Sequence, residues 1–294
     1  MLPNFLIIGA SKCGTTALYY YLKQHKDISF PTLKEPKYFS SIFQKFPHKG
    51  IGDESVDLYA IKTLKEYKKL FKKISNIRVG EASPDTMYFY KNTIPRIKET
   101  LGDIPIIIML RNPVERAFSA YMYLRRDSRE KLSFREALEI EEHRLENNWD
   151  FIWAYKKAGL YHNQIKPFLE NFSNVKIVLQ EDLRSETYKT LNGIFSFLSV
   201  DNSFKPNISI NHNPSGIPNN IIAKFLLSRE NKISTRMREI AKFIMPRNLL
   251  EKLANESLVK QNIPKQEQEN LKSYFYNDIC KTEELIKQDL TLWK

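Results

Sequence analysis

The chain has 294 residues, 42% hydrophobic and 27% charged, with 46 Lys+Arg against 34 Asp+Glu for a formal net charge of +12. This composition excludes wholesale disorder and collagen-like or mucin-like classes, and a chain of this length buries a sizeable core without staples. The charge favours anionic partners (nucleic acid, acidic glycan, nucleotide or membrane surface) without choosing among them.

The first element is an apolar run over residues 5–8, read as a buried strand, followed by a glycine-containing loop and a helical pattern over 15–24. Weaker strands are expected over 28–30 and 77–79, and a stronger one over 104–110. Pro113 at a first-turn position opens a helix over 113–125. Ser133 and Glu136 form a capping box for a helix toward Asn147. A helix over 160–171, with Pro167 as a local conflict, precedes a strand over 175–179. The last third reads as largely helical, ending in a long pattern over 265–288. Short apolar strands alternating with helices indicate an α/β fold on a parallel sheet. No repeat or linker divides the chain, so one domain over 1–294 is expected, with a core over about 4–228 and a helical extension over about 229–294.

No apolar run approaches the length of a membrane span, and no basic segment precedes the first strand as in a signal peptide, so a cytoplasmic protein is expected. Cys13 and Cys280 lie far apart without metal-ligand spacing, and the five His are scattered. No metal is expected.

Gly9, Ala10, Ser11, Lys12, Cys13, Gly14, Thr15 and Thr16 form the most informative stretch. A loop between strand and helix presents backbone N–H groups and a helix dipole to an anion. Lys12 adds a charge, and Thr15 and Thr16 add hydroxyls, so a phosphate-type ligand is expected. The P-loop motif of nucleotide kinases and ATPases places its lysine after the last glycine. Here the lysine precedes Gly14, and the 104–110 strand ends in Arg111 rather than an aspartate. Both departures count against a magnesium-dependent phosphotransferase, which stays as the alternative. Cys13 stands near a helix N-terminus, where a thiol can become nucleophilic, although loop filler is the simpler role.

Arg111 ends its strand at the edge where open α/β sheets bind ligands, and Ser119 follows two helical turns later. Guanidinium and hydroxyl together suit a second phosphate. Taken alone, the pair reads better as an Arg111 that pairs with a carboxylate and a Ser119 that caps nothing.

The two segments together resemble the sulfotransferases that use 3′-phosphoadenosine-5′-phosphosulfate (PAPS), in the style of the heparan sulfate N- and O-sulfotransferase branch and its bacterial relatives. The loop from Ser11 to Thr16 resembles the 5′-phosphosulfate loop, and Arg111 with Ser119 matches the pair that holds the 3′-phosphate. Lys34, Glu35, Pro36, Lys37, Tyr38 and Phe39 resemble the segment carrying a glutamate base. Glu81, Ala82, Ser83 and Pro84 resemble an acidic-Lys-Ser-Pro segment, with Ala82 where glycan enzymes often carry a catalytic lysine. Gly159, Leu160 and Tyr161 resemble the helix whose tyrosine lies near the adenine. Asn213 to Pro218 resembles a loop closing over the nucleotide, with Asn219 where a basic residue is common.

The resemblance covers about residues 4–228. It implies a P-loop-like three-layer fold and transfer of a sulfuryl group from PAPS, with PAP as product, to a hydroxyl or amine of a small metabolite or carbohydrate. Glu35 and Lys12 would be catalytic. Ser11, Lys12, Cys13, Gly14, Thr15, Thr16, Arg111, Ser119, Tyr161, Ser215 and Gly216 would bind the nucleotide. The backbone N–H groups from Cys13 to Thr16 would hold the 5′-phosphate. Partial desolvation would raise the Glu35 pKa toward neutrality, whereas ion pairing with the flanking Lys34 and Lys37 would lower it and oppose the role. Lys37, Tyr88 and Trp153 are candidate acceptor contacts. A nucleic-acid partner is not expected, since no basic stripe interleaved with aromatics is present.

Overall fold

A computed structural model describes residues 2–209, 216–219, 228–230 and 258–294. In chain order the first half contains β1 (Phe5–Gly9), α1 (Thr15–Leu22), β2 (Ile28–Ser29), α2 (Tyr38–Ser41), α3 (Glu54–Asp57), α4 (Leu64–Phe71), β3 (Arg78–Ala82), α5 (Tyr90–Leu101) and β4 (Ile106–Leu110). There follow α6 (Pro113–Arg126), α7 (Phe134–Glu139), α8 (Glu141–Glu146), α9 (His162–Asn171), β5 (Val175–Leu179), α10 (Gln180–Ser185) and α11 (Thr187–Phe197). Beyond these lie β6 (Ile217–Pro218), β7 (Leu258–Val259) and a long C-terminal helix, here α12 (Lys265–Ile286).

The sheet has five strands in the order β2-β3-β1-β4-β5, every pair parallel. All five residues of β1 and of β4 are buried. Successive side chains of a strand point to opposite faces, so helices cover both faces of the sheet centre and the fold is a three-layer α/β sandwich. β1 lies between β3 and β4, with Leu6 opposite Ile106 and Ile7 opposite Ile107. The chain leaves β1 toward β3 on one side and returns on the other through β4. This strand-order reversal opens a crevice at the carboxyl ends of β1 and β4. The Ala10 N–H donates to the Met109 carbonyl at 2.6 Å and keeps the two strand ends together.

Two elements differ from the sequence reading. The helix expected over 133–147 breaks at Ile140, which ends α7 and starts α8. The bend turns Glu141 inward, where its carboxylate accepts the N–H groups of Lys156 and Lys157 at 2.7 and 2.8 Å. The expected helical extension contains, among its described residues, α12 and the short strand β7, which pairs antiparallel with β6.

Helix α12 belongs to the core. Leu271, Phe275 and Ile279, each four residues apart, are buried. A Cβ on Gly159 would meet the Phe275 ring at 2.9 Å, so glycine permits this close approach. Asp278 caps α9 from outside: its carboxylate accepts the Tyr161 N–H at 2.7 Å and the His162 N–H at 3.3 Å.

Candidate active site

The loop from Gly9 to Thr16 runs along the carboxyl edge of the sheet. Gly14 sits at φ 89°, in the left-handed region that glycine occupies without strain, and forms the N-cap of α1. No side chain caps this helix, and its first turn holds no acid. The N–H groups of Thr15 and Thr16 therefore lack intrahelical acceptors and face the loop. Cys13 departs from the expectation, because its N–H donates to the Ala10 carbonyl at 3.2 Å and is spent within the loop. Its buried thiol approaches the Tyr161 hydroxyl at 3.5 Å. Burial pushes the thiol pKa up to about 11, which removes the nucleophile reading.

The Lys12 ammonium lies 4.1 Å from the centre of the Tyr123 ring, and the Arg126 guanidinium lies 4.9 Å from the same centre. Burial, with the neighbouring charges of Arg126 and Arg111, lowers the Lys12 pKa to about 7 against the opposing pull of Asp127 and Glu35. This is a cation short of negative charge, as a site for an anion would be.

Arg111 joins this loop. Its Nη1 donates to the Lys12 carbonyl at 3.4 Å, and Nε and Nη2 reach Glu115 Oε2 at 3.1 and 2.8 Å. Ser119 lies one turn beyond Glu115 on the same face of α6 and makes no hydrogen bond among the described residues. Asn112 caps α6 by accepting the Val114 N–H, and its own N–H donates to Glu181. Trp293 also donates to Glu181, at 3.1 Å, so the end of the chain buttresses the turn that carries Arg111.

The third segment follows β2. Glu35 and Lys37 both adopt positive φ, 59° and 55°. Lys34 forms an ion pair with Glu35 and donates to Thr16 Oγ1 at 3.2 Å, linking the carboxylate to the anion loop. Lys37 lies 3.6 Å from Asp150 and 5.4 Å from the centre of the Phe151 ring. Burial raises the Glu35 pKa, but the charges of Lys34, Lys37 and Lys12 with the Lys34 hydrogen bond outweigh it, and the carboxyl sits below its ordinary value. Of the two opposing influences on Glu35, pairing with the lysines thus prevails over desolvation. The Glu35 side chain still keeps 32% of its surface open to an incoming group.

Several expected contacts are placed otherwise. Trp153 is 0% exposed and donates to Asp53 at 3.0 Å, so it supports the fold and lines no acceptor pocket. Tyr161 is 1% exposed and its hydroxyl donates to the Arg111 carbonyl at 2.8 Å. It braces the loop after β1 and the turn after β4 from behind and offers no exposed face to a ligand. Lys37 faces Asp150, so its charge is already matched. Tyr88 is half-buried, with its ring 5.8 Å from Phe151, and stays beside the Lys37 segment. Ser11 is buried in the loop. Gly216 leads into β6, and a Cβ there would meet Leu258 at 2.8 Å. Ser215 lies outside the described residues.

Glu115, Asp150 and the Tyr123–Arg126 pair were not foreseen from sequence, whereas the pairing of Lys34 with Glu35 was. Glu115 has a sequence signal, since it stands four residues after Arg111 and shares its side of the helix. Lys34 adjoins Glu35. Asp150 has none, being 113 residues from Lys37.

A family model described as "Sulfotransferase family" matches residues 3–204, and the chain belongs to that family. The crystal structure of a sulfotransferase from Alicyclobacillus acidocaldarius superposes with a TM-score of 0.78 at 34% identity, covering 100% of this chain and 99% of that one. Carbohydrate sulfotransferase 15 of Mus musculus is 28% identical over 251 residues, spanning 68% of this chain and 44% of its own length. The bifunctional heparan sulfate N-deacetylase/N-sulfotransferase 1 of Xenopus tropicalis is 28% identical over 211 residues, again 68% of this chain but 22% of its own. The chain thus spans less than half the length of these two curated relatives.

Proposed function

We propose that this member of the sulfotransferase family transfers a sulfuryl group from PAPS to a hydroxyl or amine of a carbohydrate or small metabolite. One observation carries the reading: Arg111 donates to the carbonyl of Lys12. Two cationic anion-binding segments, after β1 and after β4, therefore adjoin at one crevice. A nucleotide with phosphates at both the 5′ and 3′ positions would meet one segment with each.

PAPS supplies a sulfuryl group already activated as a mixed anhydride with phosphate. The open N–H groups and hydroxyls of Thr15 and Thr16 hold its 5′-phosphate, and Arg111 with Ser119 holds the 3′-phosphate. The acceptor oxygen or nitrogen bonds to sulfur while the sulfur–oxygen bond to the 5′-phosphate breaks. Lys12 neutralises the charge that grows on the departing phosphate. Glu35 takes the acceptor proton, for which its ionised state at neutral pH is the required form. The remaining contribution is alignment of acceptor and donor in line. The carbohydrate class is supported by the names of the curated relatives, and the metabolite class by Tyr88 beside the Lys37 segment.

Thermal unfolding tests the donor. A ligand at about a hundred times its dissociation constant stabilises the fold by roughly 2.7 kcal/mol. Adenosine 3′,5′-bisphosphate should raise the midpoint, and AMP should raise it less. Stabilisation by ATP with magnesium alone would overturn the reading in favour of a nucleotide phosphotransferase.

A further inference from the structure

The opposite edge of the sheet carries a separate feature. Helix α4 turns Tyr67 and Phe71 into the core. Its solvent side holds Lys65, Lys68, Lys69 and the C-cap Lys72, all exposed, around a shallow recess that Leu2 also lines. Spacings of three and four residues place these lysines on one face. The helix's one acid, Glu66, is drawn to its cap, where Thr63 Oγ1 donates to it at 2.7 Å. Among the described residues, none of the four ammonium groups meets a carboxylate. Leu2, half-buried, is the one apolar residue of the recess lining.

Leu2 precedes β1, whereas the anion loop follows it. The five residues of β1 separate the two edges by about 16 Å. None of the four lysines shares a hydrogen bond or ion pair with Lys12, Glu35 or Arg111 among the described residues, so the recess is distinct from those groups.

We propose that this face docks on an anionic lipid surface. Lysine ammonium groups are compact charges that suit the diffuse negative potential of such a surface. Apolar Leu2 among them matches the interfacial layer, where apolar side chains enter beneath charged headgroups. No arginine or aromatic lines the recess with the lysines to stack on bases or to fork onto phosphates, which counts against a nucleic acid. Docked this way, the carboxyl-edge crevice points away from the lipid and stays open to its substrates.

Sedimentation with vesicles tests the proposal. The full chain should pellet with vesicles of phosphatidylcholine plus phosphatidylserine and stay in solution with phosphatidylcholine alone. Each lysine near an anionic surface contributes about a fivefold factor. Lys65→Gln, Lys68→Gln, Lys69→Gln and Lys72→Gln together should weaken binding on the order of 100-fold or more. A control with Lys91, Lys189, Lys265 and Lys281 changed to Gln carries the same net charge and should bind as the parent does. Equal loss in both variants, or no pelleting of the parent, overturns the proposal. Retention on heparin or duplex DNA at salt that releases the vesicles, lost in the α4 variant, also overturns it and assigns the face to a soluble polyanion. Sulfuryl transfer by the α4 variant in solution should match the parent, which keeps this test separate from that of the active site.

Discussion

Two nitrogens of Arg111 converge on one oxygen of Glu115, Nη2 at 2.8 Å and Nε at 3.1 Å. The guanidinium proposed for the 3′-phosphate thus has a carboxylate competitor on the helix that follows it. The Glu115 side chain is half exposed, and such pairs contribute at most about 1 kcal/mol. A phosphate offers charge-assisted bonds that exceed this. Glu115→Gln should therefore tighten adenosine 3′,5′-bisphosphate binding by about two- to fivefold. Arg111→Ala should weaken it on the order of 100-fold. Calorimetry with AMP as the second ligand checks the assignment, because AMP lacks the 3′-phosphate and its affinity should change little in either variant. Equal effects on both nucleotides would place Arg111 elsewhere.

Glu35 titrates below its ordinary value because Lys34, Lys37 and Lys12 surround it. Positive neighbours favour the anion, so the acid limb of kcat/KM should lie below about 4.5, the ordinary glutamate value. Removing one of them, as in Lys37→Met, should move that limb upward. Glu35→Gln should lower kcat by about 10²- to 10⁴-fold with little change in nucleotide binding. An acid limb that stays fixed in Lys37→Met would mean that another group is titrating.

These residues also show how far the sequence could be read. The strands and the loop from Gly9 to Thr16 were legible because buried parallel strands are continuous apolar runs and the anion loop is local in sequence. The placement of Arg111 and Ser119 was legible for the same reason, one standing just before α6 and the other two turns into it. Contacts made across the fold were not. Trp153 looked like a pocket aromatic, yet Asp53, a hundred residues away, takes its N–H. Tyr161 looked like a nucleotide contact, yet α12 and the Arg111 turn enclose it. Local pattern gives the face of an element, and tertiary packing decides which faces remain open. The lowered pKa of Glu35 lay between these cases, since Lys34 and Lys37 flank it in sequence but their geometry decides the sign.

Cys13 and Cys280 should react differently with alkylating agents. Cys13 is buried and its thiol pKa is pushed up to about 11. Cys280 is half-buried on α12. Iodoacetamide at pH 7.5, about the cytosolic range, should label Cys280 in the folded chain and reach Cys13 only after denaturation. Mass spectrometry of the labelled peptides reads this directly. Early labelling of Cys13 would show that the anion loop opens.

Glu81 offers a pH-dependent stability effect of defined sign. Its carboxylate accepts the Tyr67 hydroxyl at 2.6 Å inside the fold, and burial is the main cause raising its pKa to about 7. The folded value lies above the ordinary 4.5, so the folded state binds the proton more tightly than the unfolded chain. Its contribution is then complete below about pH 4.5 and is lost as the pH rises through 7. Glu81→Gln, which keeps the neutral form at every pH, should flatten this slope, a difference on the order of a few kcal/mol. Chemical denaturation between pH 5 and 8, about the range bracketing these values, should show the parent approaching or falling below the variant at the upper end.

Lys12 gives the corresponding effect on binding. Its pKa in the nucleotide-free protein is lowered to about 7 by burial and by Arg126. An arriving phosphate supplies the missing negative charge and must raise that value. Binding above pH 7 therefore takes up a proton at Lys12. Affinity for adenosine 3′,5′-bisphosphate should fall as the pH rises beyond about 7, by at most about tenfold per unit. Titration calorimetry at pH 8, about one unit above this pKa, in buffers of different ionisation heat should detect nearly one proton per nucleotide. In Lys12→Arg the charge is permanent, so the uptake should vanish and the pH profile should flatten over this range. Binding heats independent of buffer in the parent would mean that Lys12 is already charged, or that the phosphate does not meet it. Persistence of the uptake in Lys12→Arg would assign the proton to another group.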